Sequence, residues 1–255
     1  MHRTVKSLVA RVLGTLALIA PLAANAYVIG PTTPGKWGSP TFGTGATITY
    51  SYMPSGTSCA AEGAGCTISA LGSFGPALSV WKSEITAALS AWSSVANLTF
   101  VEVPDLGEAF NATTQLSGDL RFGGHAFDGA FGVLAHGYYP PANGATAAGD
   151  MHYDTGDCWE AAFDGTGDGC FSIFQVTAHE IGHALGLDHT AVPGSLMNPF
   201  YTEAFVGPQA DDIAGMRAIY GRAITTGGSV PEPTGLALVG LALFGAAAAR
   251  RRSAP

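Results

Sequence analysis

His179-Glu180-Ile181-Gly182-His183-Ala184-Leu185-Gly186-Leu187-Asp188-His189 decides the reading of this chain, together with Met197 eight residues further on. On a helix, His179 and His183 stand four residues apart and share one face. Gly186 ends that helix, because glycine accepts the left-handed geometry that a helix stop needs. The chain can turn there and bring His189 back as a third nitrogen ligand. Three protein ligands leave one position for water, which marks a catalytic rather than a structural zinc. Glu180 lies between two ligands without being one, where it can take the proton from a zinc-bound water.

The full pattern, H-E-x-x-H-x-x-G-x-x-H with a methionine after it, resembles the metzincin clan of zinc endopeptidases. Thr190, directly after the third histidine, narrows the resemblance to the matrixins. It extends over about residues 36–221: Lys36-Trp37 with Ile48-Thr49-Tyr50, Ala91-Trp92-Ser93-Ser94-Val95 with Leu98-Thr99-Phe100, and Asp211-Asp212-Ile213 through Tyr220-Gly221 are similar to matrixin segments. The fold this implies is α+β: a twisted, mostly parallel five-stranded sheet, long helices behind it, and a small C-terminal subdomain after the Met-turn. The resemblance makes Met197 a packing residue under the metal. It lets the strand around Val133–Ala135, Ala135 included, pair with an extended peptide. It puts Pro199 and Tyr201 in the wall of the specificity pocket, with Gln175 setting its depth.

A second cluster holds His125, His136 and His152 among acidic residues. It resembles the segment that wraps a structural zinc and calcium ions in matrixins. That likeness gives His125, His136 and His152 to zinc; either Asp128, shared with or competing for calcium, or a water completes the site, or the site is weaker than usual in the family. The chain departs from the family here: His125-Ala126-Phe127-Asp128 is two residues short, and the usual second carboxylate is missing. Calcium requires six to eight hard oxygens. Asp154 and Asp157 match the family's calcium acids, and Asp150 and Asp119 match further positions. Asp164 and Asp168 have no family counterpart and read as solvated turn residues.

Both ends read as targeting segments. Residues 1–26 have Arg3, Lys6 and Arg11, an apolar run, and Ala24-Asn25-Ala26, the pattern of a secretory signal peptide cut after Ala26. The run is too short for a bilayer span. After a linker at 223–229, residues 230–252 carry Val230-Pro231-Glu232-Pro233, an apolar stretch from Gly235 to Ala249, and Arg250-Arg251-Arg252. This resembles the PEP-CTERM sorting signal of Gram-negative bacteria. It implies transient membrane anchoring, processing by an exosortase, and delivery to the cell surface or extracellular matrix. The part between, 27–222, is expected to be a single catalytic domain and a monomer.

Between Ala26 and Pro233, five basic residues face nineteen acidic ones, a net charge near −14 with histidine neutral. That balance argues against a nucleic-acid partner. Four cysteines in an exported chain form two disulfides. Three pairings are possible; Cys59–Cys66 and Cys158–Cys170, each closing a short Gly-rich loop, are the expected ones.

Periodicity predicts strands at Thr47–Met53, Leu98–Val103, Asp119–Phe122, Phe131–His136 and Gly149–Asp154. It predicts helices over 77–95, over Phe171–Leu185 and from Pro208 to Tyr220, the last with Asp211 and Asp212 in its first turn. Residues 27–46 are expected to run extended over the surface. The expected function is zinc-dependent endoproteolysis of protein or peptide substrates with Glu180 as the base. Two other classes stay open: a zinc-stabilised structural protein of an exopolysaccharide matrix, and a zinc hydrolase acting on a non-protein bond.

Overall fold

The computed structural model describes residues 26–112, 114, 116–141, 147–161 and 169–224. The expected signal peptide before Ala26, Asp164, Asp168 and the sorting segment lie outside these residues. In chain order the elements are β1 (Val28–Ile29), β2 (Ala46–Tyr52), α1 (Leu78–Val95), β3 (Leu98–Glu102), β4 (Leu120–His125), β5 (Ala135–Gly137) and β6 (Asp150–Asp154). β7 (Cys158–Glu160), β8 (Cys170–Ser172), α2 (Ile173–Ala184), β9 (Leu187–Asp188) and α3 (Ala210–Tyr220) follow.

Five strands form one sheet in the order β3-β2-β4-β6-β5. The first four are mutually parallel, and β5 alone runs antiparallel, against β6. This is the mostly parallel α+β sheet expected from the resemblance. Alternation along the strands separates two faces. Leu120 and Phe122 of β4 with Met151 and Tyr153 of β6 are buried in the core. Trp81, Ile85, Leu89 and Trp92 recur at helical spacing on α1 and bury against the same core. The Trp92 indole donates to the Ala178 carbonyl at 2.9 Å, tying α1 to α2.

The other face of β4 and β6 carries Arg121, Gly123 and His125 beside Asp150, His152 and Asp154 in register. A 25-residue connection, 53–77, crosses this face between β2 and α1. Connections of that length without regular structure are uncommon and usually functional. It can lie flush because β4 has glycine at 123, where a Cβ would stand 2.6 Å from Ile68; on the core face, a Cβ at Gly124 would stand 2.4 Å from Phe74.

Some local expectations shift. Phe171 belongs to β8, and α2 begins after Ser172, whose hydroxyl accepts from the Gln175 amide as an N-cap. The strand expected over Phe131–His136 is only Ala135–Gly137, because the preceding turn is held by Asp128. Residues 27–46 are not merely a surface run. Trp37 is buried, its indole donating to the Ala184 carbonyl at 2.7 Å and its amide to the Tyr220 hydroxyl at 3.0 Å. Both disulfides pair as expected, Cys59–Cys66 and Cys158–Cys170.

Asp212 of α3 is 1% exposed and fixes the turn that carries Met197. Its carboxylate accepts from the amides of Leu196 (2.7 Å), Met197 (3.0 Å) and Gln209 (2.8 Å), and from the Ser195 hydroxyl. Removing it leaves several buried donors unsatisfied, each worth about 1–3 kcal/mol. Asp212→Ala is therefore expected to lower unfolding free energy by about 4 kcal/mol in urea titrations. A loss below about 1 kcal/mol would show that the turn is held by other contacts.

Candidate metal centres and cleft

Helix α2 presents His179 and His183 one turn apart, and Gly186 ends it as expected. Gly186 has φ +108, and a Cβ there would stand 2.2 Å from the Gly35 carbonyl oxygen, so no other residue fits. The chain reverses into β9, which delivers His189.

The three imidazoles then meet edge to edge. Nε2 of His189 lies 3.2 Å from Nε2 of His179 and 3.1 Å from Nε2 of His183. The opposite nitrogens are committed elsewhere: Nδ1 of His179 faces the Leu196 carbonyl at 2.7 Å, and Nδ1 of His183 faces the Leu187 carbonyl at 2.9 Å. A carbonyl only accepts, so both Nδ1 atoms carry the proton and both Nε2 atoms present lone pairs. Burial pushes the His179 pKa down to about 3, with the His183 ring adding to the effect, and pushes His183 down to about 4. Neutral rings whose lone pairs converge at this distance suit a borderline-soft cation and little else.

Glu180 is 6% exposed on the same helix. Burial raises its pKa to about 8, opposed only by a backbone hydrogen bond from Gly137. Gly137 has to be glycine: a Cβ there would stand 2.8 Å from the Glu180 carbonyl oxygen and 3.2 Å from its Oε2. Met197 lies under α2, where a Cβ at Gly182 would come within 2.4 Å of its sulfur.

A cleft of about 440 Å³ opens beside His179, Glu180 and His189. Ala135, Val133 and Leu134 line one side, and Pro199, Phe200 and Tyr201 the other. The Tyr201 hydroxyl accepts from the Ser172 amide at 2.9 Å, which fixes that wall against α2. Gln175 lines the cleft too, its Oε1 accepting from the Gly207 amide at 2.9 Å. Next to the cleft, β5 is the end strand of the sheet.

His125, His136 and His152 also come together, but Asp128 does not join them. Its carboxylate accepts from the Val133 amide at 3.1–3.2 Å and closes the 128–133 turn. The shortened segment after His125 directs Asp128 into that turn. The carboxylate among the three rings is Glu62. Its Oε2 lies 2.6 Å from His125 Nε2, and its Oε1 lies 2.7 Å from His152 Nδ1 and 3.2 Å from His136 Nε2. Burial alone would raise the Glu62 pKa, but the three imidazoles hold it below the carboxylate range. Sequence reasoning passed over Glu62. The available signal was that it is the only acidic residue in the first 83 and lies inside the Cys59–Cys66 loop.

The expected calcium acids separate. Asp150 is fully buried 3.5 Å from the Arg121 guanidinium, a poor neighbour for a second cation. Burial holds its pKa well above the usual carboxylate value despite that arginine. Asp119 instead bonds the Thr49 amide and hydroxyl, both at 2.8 Å, and so joins β2 to the start of β4. Asp154 accepts from the amides of Phe127, Gly129 and Gly156. Asp157 takes the Phe131 amide at 2.7 Å, while its other oxygen is buried without a hydrogen-bond partner.

Residues 77–221 match the sequence model of the matrixin family. The chain belongs to the matrixin family. Residues 229–252 of this matrixin match the PEP-CTERM protein-sorting motif. Over 149 residues it is 40% identical to the hatching enzyme of Paracentrotus lividus, covering 55% of this chain and 22% of that protein. Stromelysin-3 of Rattus norvegicus is 38% identical over 157 residues, 60% of this chain and 29% of its own length. Karilysin of Tannerella forsythia is 34% identical over 140 residues, 55% of this chain and 28% of its own. The matrixin thus spans less than a third of the length of these relatives.

The buried Glu180 makes a pH-dependent prediction. Its folded pKa lies above the ordinary value of 4.5, so ionisation costs stability as pH rises from about 4.5 towards 8. In chelator-treated protein, Glu180→Gln is expected to gain stability over the parent by on the order of 4 kcal/mol more at pH 9 than at pH 4. Urea titrations at the two pH values measure this difference. An equal gain at both would mean that Glu180 is solvated.

Proposed function

We propose that this matrixin is an exported zinc-dependent endopeptidase that cleaves protein or peptide substrates in the cleft beside His179, Glu180 and His189. The convergence of three Nε2 atoms, each belonging to the predicted motif, carries this reading. His179, His183 and His189 would hold the zinc. When bound there, zinc supplies Lewis acidity towards a carbonyl oxygen and lowers the pKa of water.

The chain's own residues do the remaining work. Glu180 is buried beside the ligands, where burial raises its pKa and a bound cation would lower it again, so that one carboxyl can accept a proton and return it to a leaving amine. The free edge of β5, with Ala135 in the cleft wall, offers backbone groups to an extended peptide. Pro199, Phe200 and Tyr201 give the pocket an apolar wall for one substrate side chain. Gly137 lets β5 pass close enough to α2 for Glu180 and the paired peptide to share one site.

Asp154 and Asp157, with Asp128 contributing to the field at Asp157, are proposed to hold calcium. The unpartnered Asp157 oxygen and the mutual repulsion of these carboxylates support that assignment. The PEP-CTERM match, together with Ala24-Asn25-Ala26, supports export by a Gram-negative host and temporary membrane retention through 235–249. Among the described residues no helix is long and apolar enough to cross a membrane.

Glu180→Ala is expected to keep zinc and fold while losing cleavage of a denatured protein substrate by about 10³-fold. His183→Ala is expected to lose that zinc as well. Cleavage by Glu180→Ala within a few-fold of the parent would remove Glu180 from the mechanism.

Replacing Pro231-Glu232-Pro233 with alanines is expected to block tail removal and leave the protein membrane-held. Mass spectrometry of the unsubstituted protein released by its host measures the same step. A released C-terminus ending Arg252-Ser253-Ala254-Pro255 would contradict it.

A further inference from the structure

Glu62 has no counterpart in the expected ligand set, and its position is built rather than incidental. It sits on the 53–77 connection, on the opposite face of the sheet from the core. The connection is pinned to β4 by the Met53 amide donating to the Phe122 carbonyl at 2.9 Å. A reciprocal pair of bonds between Ser69 and Gly124, at 2.6 and 3.0 Å, pins it again. Between those anchors the Cys59–Cys66 disulfide closes a tight loop around Glu62. Inside it, the Glu62 amide donates to the Cys59 carbonyl at 2.9 Å and the Cys66 amide to the Gly63 carbonyl at 3.0 Å. Cys59 is itself fully buried in a small apolar cluster with Met53, Ile68 and Phe110. The cluster seats the loop, and the loop aims the carboxylate.

Glu62 Oε1 has hydrogen-bond partners in His136 and Tyr138, but the contacts of Glu62 with His125 and His152 lack hydrogen-bonding geometry. His125 Nδ1 faces the Ala126 carbonyl at 3.0 Å, so in a neutral ring its Nε2 turns a lone pair towards Glu62 Oε2. His125 Nε2, both ring nitrogens of His152 and Glu62 Oε2 are buried with no partner of hydrogen-bonding geometry. Four donor atoms, one from each side chain, lie within 4.8 Å of one another. The Tyr138 hydroxyl donates to Glu62 Oε1 at 3.0 Å, the kind of outer contact that orients a ligating carboxylate. Three nitrogens and one oxygen, with no position left for substrate, make the closed donor set of a structural zinc.

We infer that Glu62 is the fourth protein ligand of a structural zinc held with His125, His136 and His152, and that the Cys59–Cys66 disulfide is the brace that presents it. Asp128, committed to the Val133 amide, has no part in the site. The cross-link restricts the unfolded loop, so less conformational entropy is lost when Glu62 takes its position. Because disulfides persist in oxidising compartments, the brace is in place only after export. The inference stands independently of peptide cleavage at the other metal centre.

The test follows release of zinc from the full chain to a chromogenic chelator, in the His183→Ala form so that only this ion is counted. One zinc per chain is expected in that form. Glu62→Gln, the same shape without the charge, is expected to release it about 100-fold faster, with unchanged far-ultraviolet dichroism. Asp128→Ala is expected to release it at the parent rate. Cys59→Ser with Cys66→Ser is expected to accelerate release about tenfold while Glu62 is still present. The assignment is overturned if Glu62→Gln keeps the parent rate, or if Asp128→Ala accelerates release in its place. An unchanged rate in the double cysteine variant overturns the brace.

Cobalt(II) in the same parent gives a reading that does not depend on the folding of any Glu62 variant. Intense visible bands of a four-coordinate ion support the site, and the weak bands of a six-coordinate ion overturn it. Failure of the unsubstituted chain to cleave a denatured protein substrate, with these release rates intact, would sink the proposed function and leave this assignment standing.

Discussion

Two imidazoles whose outer nitrogens are bound to carbonyl oxygens cannot help presenting lone pairs on the other side. In this matrixin the carbonyls of Leu196 and Leu187 hold His179 and His183 in that state, and His189 closes the triangle at 3.1–3.2 Å. Without a cation between them, the lone pairs of His179 and His183 repel each other. Much of the fold serves to keep them there regardless. Trp92 fixes α2 from below, Gly186 permits the reversal that returns His189, and Asp212 fixes the turn whose Leu196 carbonyl orients His179. The core around α1 and α2 positions the helix that brings these nitrogens together.

The motif made the first centre legible because its logic is local. Helical spacing places His179 and His183, a glycine φ ends the helix, and Gly186 to His189 is too short to go elsewhere. The strands and α1 were legible for a related reason, since alternation in β2, β4 and β6 and the apolar stripe on α1 are written at short range; their assembly into one sheet came from the resemblance. The second centre has no such locality. Its three histidines were found from their resemblance to a known segment. Its carboxylate comes from a residue more than sixty positions away, and no periodicity links the two. Nothing in the spacing of His125 and Asp128 shows that the turn at Val133 captures Asp128 first. Asp150 likewise reads as a loop acid until register sets it against Arg121.

Burial of Lys36 and Trp37 was missed for a different reason. A Gly- and Pro-rich run has no period to read, and its role is tertiary. Trp37 joins the end of α2 to Tyr220 of α3, so this irregular segment helps hold the C-terminal subdomain against the helix that carries the histidines.

β5 is only three residues long, yet each residue faces a different task. Ala135 lines the cleft, His136 belongs to the Glu62 cluster on the far face, and Gly137 lies against Glu180. The strand is therefore a hinge pin common to both centres, with one of its residues clamped by the outer donors and its two neighbours forming the rim of the cleft. An ion that never meets a substrate would set the height of that rim above α2. Slack in the outer clamp would reach the inner site as a misplaced edge, felt in how firmly a peptide is gripped before it is felt in how fast it is cut.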